Sequence, residues 1–163
     1  VPENLMYFKG KAKVFDSLQD GINALRKGEI HPGDAICLRF MGLKGRFGTT
    51  AFPFQEELKG REELYNSCAI ITDGRFSGGT SGLSIGYVSP EAALSGPLAV
   101  VRDGDEIIID IPNRRIDVSL SDEEIKSRIA GFHWEFKKKD YPRFLNLFAK
   151  NVSSMARGGI WED

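Results

Sequence analysis

Cysteine and histidine are scarce in this chain of 163 residues, with two of each: Cys37 and Cys68, His31 and His133. Two thiols far apart make neither a disulfide framework nor a Cys-x-x-Cys metal site. They also exclude a self-contained cysteine-ligated iron–sulfur centre, which needs about three or four thiolates. No apolar run approaches the ~18 residues of a membrane span, so no membrane is expected as a partner. An excess of one charge is missing too, with 22 Lys and Arg against 23 Asp and Glu. That balance gives no long-range field for nucleic acid. The start, Val1-Pro2-Glu3-Asn4, carries no signal-peptide pattern, so a reducing, cytoplasmic setting is the default expectation. Because the chain opens on Val1 rather than Met, it reads as a processed, recombinant or excerpted chain. There is no internal repeat, low-complexity stretch or long charge block.

What is present fits a soluble globular protein: 41% hydrophobic and 28% charged residues. At this length one domain can bury roughly 70% of its unfolded surface. Residues 11–15 read as a short edge strand. Ser17 begins a helix with capping-box spacing to Asp20, an apolar stripe of Leu18, Ile22 and Leu25, and a stop at Gly28. After a turn at His31-Pro32-Gly33-Asp34, residues 35–41 read as a buried strand. Residues 42–50 read as a long loop, and 54–65 as a weak helix with Gly60 inside. Cys68–Thr72 is a buried strand.

Further on, Ser89-Pro90-Glu91 reads as a short helix start ended by Gly96-Pro97. Residues 98–102, 106–111 and 115–120 read as three strands of a meander. Ser121 with Glu124 forms a second capping box, and a last helix covers about 142–156 with Phe144, Leu145, Phe148, Val152 and Met155 on one side. The order predicts an α/β protein with a mixed, barrel-like sheet and helices packed outside.

The most unusual segment is Asp73-Gly74-Arg75-Phe76-Ser77-Gly78-Gly79-Thr80-Ser81-Gly82. It follows a buried strand, where ligand loops sit in α/β proteins. Its glycines let the backbone approach a ligand closely. Exposed N–H groups there could hold a carboxylate or phosphate, and Ser77, Thr80 and Ser81 add hydroxyls. It is not a P-loop, not G-x-G-x-x-G, and not a G-x-S-x-G elbow. By spacing and composition alone, the simpler reading is a tight connection, the alternative a functional loop. Asp73 reads either as a turn former or as a site residue. His31 reads as a surface residue and His133 as packed beside Trp134 and Phe136, and no spacing supports a Ser-His-Asp triad. Cys37 and Cys68 read as core residues. Glu56, Glu57, Glu62 and Glu63 read as a solvated helix face, and Lys137-Lys138-Lys139 as a solvated patch.

The string Thr72–Thr80, continued by Gly86-Tyr87-Val88-Ser89-Pro90-Glu91-Ala92-Ala93, resembles the C-terminal signature of the dihydroxy-acid dehydratase and phosphogluconate dehydratase family. The likeness extends upstream through Gly10–Ser17, Gly33-Asp34 and Gly42–Gly45. Downstream it takes in Gly96–Ala99, Arg102–Asp105, Ile107–Asp110, Asn113-Arg114, Ile116–Val118, Phe148-Ala149 and Val152–Ala156.

The resemblance implies that residues 1–163 are a single swivelling β/β/α domain. It would form the C-terminal part of a hydro-lyase that dehydrates a 2,3-dihydroxy acid to a 2-keto acid. The acid would be a precursor of branched-chain amino acids or a sugar acid. It implies an iron–sulfur cluster and Mg²⁺, both held chiefly by an N-terminal domain absent from this chain, and a homo-oligomeric full enzyme. The family's proposed base falls on Ser77, with Gly78, Gly79, Thr80 and Asp73 placed to bind substrate. A serine hydroxyl serves as a base only where positive charge and loop N–H groups stabilise its alkoxide. Metal ions on the substrate carboxylate and C2 hydroxyl would spread the developing charge.

The family follows its Gly-Pro-Lys-Gly motif with Gly-Pro-Gly-Met and a metal-binding glutamate. This chain departs there, carrying Arg46–Glu57 instead, with Glu56 or Glu57 as the candidate replacement ligand. The alternative reading is a free-standing, non-catalytic swivel domain, or a small subunit that binds an acid ligand or a larger chain.

Overall fold

The computed structural model describes residues 1–135 and 141–162; the run Lys137–Lys139, and Phe136 beside it, lie outside the described residues. Six strands form one mixed sheet. They are β1 (Tyr7–Phe15), β2 (Asp34–Leu38), β3 (Ala69–Thr72), β4 (Leu83–Ile85), β5 (Glu106–Asp110) and β6 (Arg115–Val118). The spatial order is β4-β3-β2-β1-β5-β6. The first four strands run parallel, while β1–β5 and β5–β6 pair antiparallel.

Helix α1 (Leu18–Lys27) crosses from β1 to β2. It forms where the serine signal lies: Ser17 accepts from the Asp20 N–H, and Gly28 closes the helix at φ +73°. Short helices α2 (Leu43–Arg46), α3 (Phe52–Lys59) and α4 (Glu62–Tyr65) cross from β2 to β3. The expected single helix over 54–65 is thus two, broken at Gly60, and the expected loop contains α2. Helices α5 (Asp122–Ala130), capped by Ser121, and α6 (Arg143–Asn151) follow the hairpin.

Burial splits by strand alternation. Ile36, Leu38 and Ile70 join Leu25, Phe54 and Leu58 beneath the helices. Ala35, Cys37 and Ile71 face the other way and share one core with Leu83 of β4 and Ile107 of β5. Strands near opposite ends of the order meet in a single core only if the sheet curls, which gives the barrel-like layer expected from the element order.

Four local expectations are corrected. The segment 11–15 belongs to a nine-residue central strand, not an edge strand. On one face of β1 Phe8 and Ala12 enter the curled core, while on the other Lys9 pairs with Glu106 outside and Phe15 packs on the core beneath the helices. Residues 97–100 form a 3₁₀ turn rather than a meander strand. Their carbonyls meet a side chain instead of a neighbouring strand: Arg39 Nη1 donates to Ala99 O at 2.7 Å and Val101 O at 3.0 Å. Ser89 does not cap a helix; its hydroxyl donates to Tyr87 O, and only a 3₁₀ turn at Ala92–Leu94 follows. The last helix also stops early, because Val152 leaves it to pair with Trp161.

Candidate functional site

Asp73 is fully buried at the carboxyl end of β3. Its Oδ1 accepts from the Met41 N–H at 2.8 Å, and its Oδ2 accepts from Phe40 N–H at 3.1 Å and Ala92 N–H at 3.0 Å. One carboxylate therefore ties together the loops after β2, β3 and β4. Its oxygens point into the protein, not to solvent. Glu91, equally buried, does the same one layer further out. Its Oε1 accepts from Met155 N–H at 2.7 Å and its Oε2 from Lys44 N–H at 3.3 Å, joining α2 to the C-terminal segment. Sequence reading took Glu91 only for a helix-start residue. No periodicity marks it, because both partners are distant in sequence.

Burial pushes the Asp73 carboxyl above the usual aspartate range; its three backbone N–H bonds oppose this, and the nearby Glu91 charge adds to it. The sign follows from linkage. Between the ordinary aspartate range and the raised value, the folded chain holds a proton that the unfolded chain has lost, so stability falls as pH rises. Denaturation midpoints taken from pH 4 upward should show this decline, superposed on other titrations. The Asp73→Asn variant should lack its contribution.

The glycine-rich segment 73–82 is itself the crossover between parallel β3 and β4, with no helix in it. Its stem is fixed. Arg75 bridges Thr50, and a Cβ on Gly74 would lie 2.5 Å from Thr49 O and 2.7 Å from Met41 Cβ. Its far end rests on α3 and α4. Tyr65 Oη bonds Ser81 Oγ at 2.7 Å, and Gly82, at φ +78°, sits against the Tyr65 ring.

The tip between these anchors is free. Ser77, Gly78 and Gly79 are exposed in a turn closed by Thr80 N–H donating to Ser77 O. A Cβ on Gly78 would meet nothing within 4 Å, and one on Gly79 only the Phe52 ring at 3.7 Å. Neither has positive φ. The fold itself therefore does not demand glycine at 78 or 79. Among the described residues, no acceptor pairs with the N–H groups of Ser77, Gly78 or Gly79, and no group pairs with the Ser77 hydroxyl. The tip can present a hydroxyl and amide donors to an anion.

Beneath the tip, two buried polar atoms lack partners: Thr80 Oγ1 and Gln55 Oε1. Gln55 is fully buried, and its amide nitrogen reaches Ser81 O only at 3.4 Å. An unpaired buried acceptor costs about 1–3 kcal/mol. Gln55→Met should therefore raise the thermal midpoint by about 3 °C, read by calorimetry.

Among the described residues, four of the five non-glycine residues at positive φ, namely Phe40, Phe47, Tyr87 and Ser95, lie in the loops around Asp73 and Glu91. Such backbone costs of order 1 kcal/mol each and gathers at functional sites.

The other candidates fall elsewhere. Glu57 is paired with Arg26 of α1, which holds its carboxyl below the usual range; burial opposes this. Glu56 is exposed on α3, one turn beyond Phe52. Cys37 and Cys68 lie in different cores. Burial pushes the Cys37 thiol up to about 12 and raises Cys68 as well. Neither is a ready thiolate. Among the described residues, no group of three or more His, Cys, Asp or Glu could hold a metal ion. No helix among them is long and apolar enough to cross a membrane.

Residues 1–159 match the family model for the dihydroxy-acid/6-phosphogluconate dehydratase C-terminal region. The chain is 41% identical over 162 residues to a dihydroxy-acid dehydratase of Aquifex aeolicus, an alignment covering 99% of this chain and 29% of that protein. It is 42% identical over 163 residues to one of Thermodesulfovibrio yellowstonii, with the same coverages of 99% and 29%. One of Archaeoglobus fulgidus is 44% identical over 158 residues, covering 97% of this chain and 28% of that protein. The chain thus spans under a third of the length of these relatives.

Proposed function

The chain belongs to the dihydroxy-acid/6-phosphogluconate dehydratase C-terminal family, and from that premise we propose that it is the substrate-covering part of a hydro-lyase. The enzyme would convert a 2,3-dihydroxy acid, branched or sugar-derived, to a 2-keto acid. The observation that carries this reading is the free tip at 77–79: an exposed hydroxyl beside two glycines that the fold does not require. The names of the relatives supply the substrate class.

In this reading Ser77, as its alkoxide, takes the proton from C2, the C3–O bond breaks, and that proton passes to the departing hydroxide, which leaves as water and restores the alkoxide. The enol that results then tautomerises to the 2-keto acid. Atoms balance with loss of one water and no change in oxidation state overall. The N–H groups of Gly78 and Gly79 stabilise negative charge on the alkoxide or bind the substrate carboxylate. Thr80 and Asp73 act from behind. The hydroxyl of Thr80 lies under the tip, and Asp73 holds the stem in place through its three backbone bonds.

The residues described here do not fit an iron–sulfur cluster or an all-protein metal cage, since both thiols are buried in separate cores and no ligand group forms. In this reading a cluster and Mg²⁺ would be held by an N-terminal part of a longer protein, and no step above is routed through them. Of the two candidate ligands, Glu56 is exposed on α3 and would be the one left to add a metal ligand, whereas Glu57 is held by Arg26.

The test is 2-keto acid formation from branched and sugar-derived dihydroxy acids. It compares these 163 residues alone with the full-length protein that carries them. Turnover is expected only from the latter. Activity of the 163 residues alone would overturn the reading. Co-purification of a separate, iron-bearing chain would instead identify a two-subunit enzyme.

A further inference from the structure

The segment following β4 lies directly against the stem of the glycine loop. Tyr87 N–H donates to Gly74 O at 2.8 Å, and Val88 N–H donates to Thr72 O at 3.1 Å. A Cβ on Gly86 would sit 3.1 Å from the Phe76 ring and 3.4 Å from Gly74 O. Tyr87 therefore stands beside Gly74, and its neighbour Gly86 beside Phe76, the residue that precedes the tip. Its backbone is left-handed, at φ +58°. Geometry alone would choose glycine or asparagine at such a position.

A bulky residue held there is normally explained by packing, but Tyr87 is 50% exposed. Nor is it explained by a hydrogen bond, because its phenol pairs with no described residue. The strain gains the isolated fold neither a buried ring nor a satisfied hydroxyl. The contrast is with Phe40, also at positive φ, which is buried and stacks on Phe132 and Trp134.

We propose that Tyr87 is a specificity-determining residue that contacts the acid bound at the glycine loop and helps select among dihydroxy acids. A phenol suits that ligand class. Its hydroxyl can donate to or accept from a polyol hydroxyl, and its ring face packs on C–H groups. The inference rests on the dehydratase reading and names a residue of the same site that does not take the C2 proton.

The test uses the full-length protein with Tyr87→Gly, Tyr87→Phe and Ser77→Ala. It measures kcat/KM on a panel of branched and sugar-derived 2,3-dihydroxy acids, and the thermal midpoint with and without each acid. Tyr87→Gly should raise the unliganded midpoint by about 2 °C through relief of the left-handed strain. It should lower kcat/KM at least 10-fold and change the ratio between the two acid classes. Tyr87→Phe should lower kcat/KM for sugar-derived acids more than for branched ones.

Tyr87→Gly with kcat/KM within twofold of wild type on every acid, while Ser77→Ala is inactive, would overturn this inference alone. Full activity of Ser77→Ala would overturn the dehydratase reading of Ser77 and this inference with it. So would a wild-type protein that neither turns over nor is thermally shifted by any acid of the panel.

Discussion

On the dehydratase proposal, Ser77→Ala in the full-length protein should lower turnover of a 2,3-dihydroxy acid about 10³-fold, or about 4 kcal/mol of transition-state stabilisation, with the thermal midpoint unchanged within about 1 °C. The two halves of the expectation come from one observation. The Ser77 hydroxyl is exposed and bonded to no described residue, so the fold loses nothing with it. If the hydroxyl carries the C2 proton, the reaction loses its base. A stopped assay for 2-keto acid, with a calorimetric scan of the same sample, reads both. A variant that keeps more than a tenth of wild-type turnover assigns the base to another group. Incorporation of solvent deuterium at C2 then adds a check, since a missing base should slow exchange as well as dehydration.

The second large effect is on stability. Asp73→Ala should cost about 3–5 kcal/mol and lower the thermal midpoint by about 10 °C. The side chain is small, so little apolar area is at stake. The loss comes from three buried N–H groups, those of Phe40, Met41 and Ala92, left without an acceptor. Asp73→Asn separates shape from hydrogen bonding. With its oxygen at the Oδ2 position it still accepts from Phe40 and Ala92, but its NH₂ then faces the Met41 N–H, donor against donor. It should cost less than the alanine variant and more than an exposed substitution. Urea titrations of all three proteins at pH 7 give the comparison. An alanine variant within 1 kcal/mol of wild type would mean that water or a local shift satisfies the three amides.

Much of the fold was legible because its signals are local. Ser17 and Ser121 each cap the N–H three residues on, and Gly28 turns left-handed one residue past α1, as the spacing required. Nearly continuous apolar runs marked β2 and β3 as buried on both faces. Where reading failed, a distant group had taken over a local role. Residues 11–15 read as an edge strand, yet β1 pairs on both sides, with β2 and with β5, whose residues lie far along the chain. Leu98–Arg102 has strand composition, but Arg39, some sixty residues earlier in the chain, takes its carbonyls.

The candidate site divides along the same line. The glycine-rich string, its place after a buried strand and its likeness to one family can all be read from residue order, because they depend on identity and spacing. That Asp73 faces inward while Ser77 faces outward cannot, since both are small polar residues four positions apart. The acceptor role of Asp73 depends on N–H groups 33, 32 and 19 residues away. Which glycines the backbone needs and which it leaves open depends on what a missing Cβ would strike: Thr49 and Met41 at Gly74, nothing at Gly78. Sequence determined the elements and the family. Only the curled sheet, by bringing three loops to one carboxylate, decided which residues of that segment hold it and which are left for a ligand.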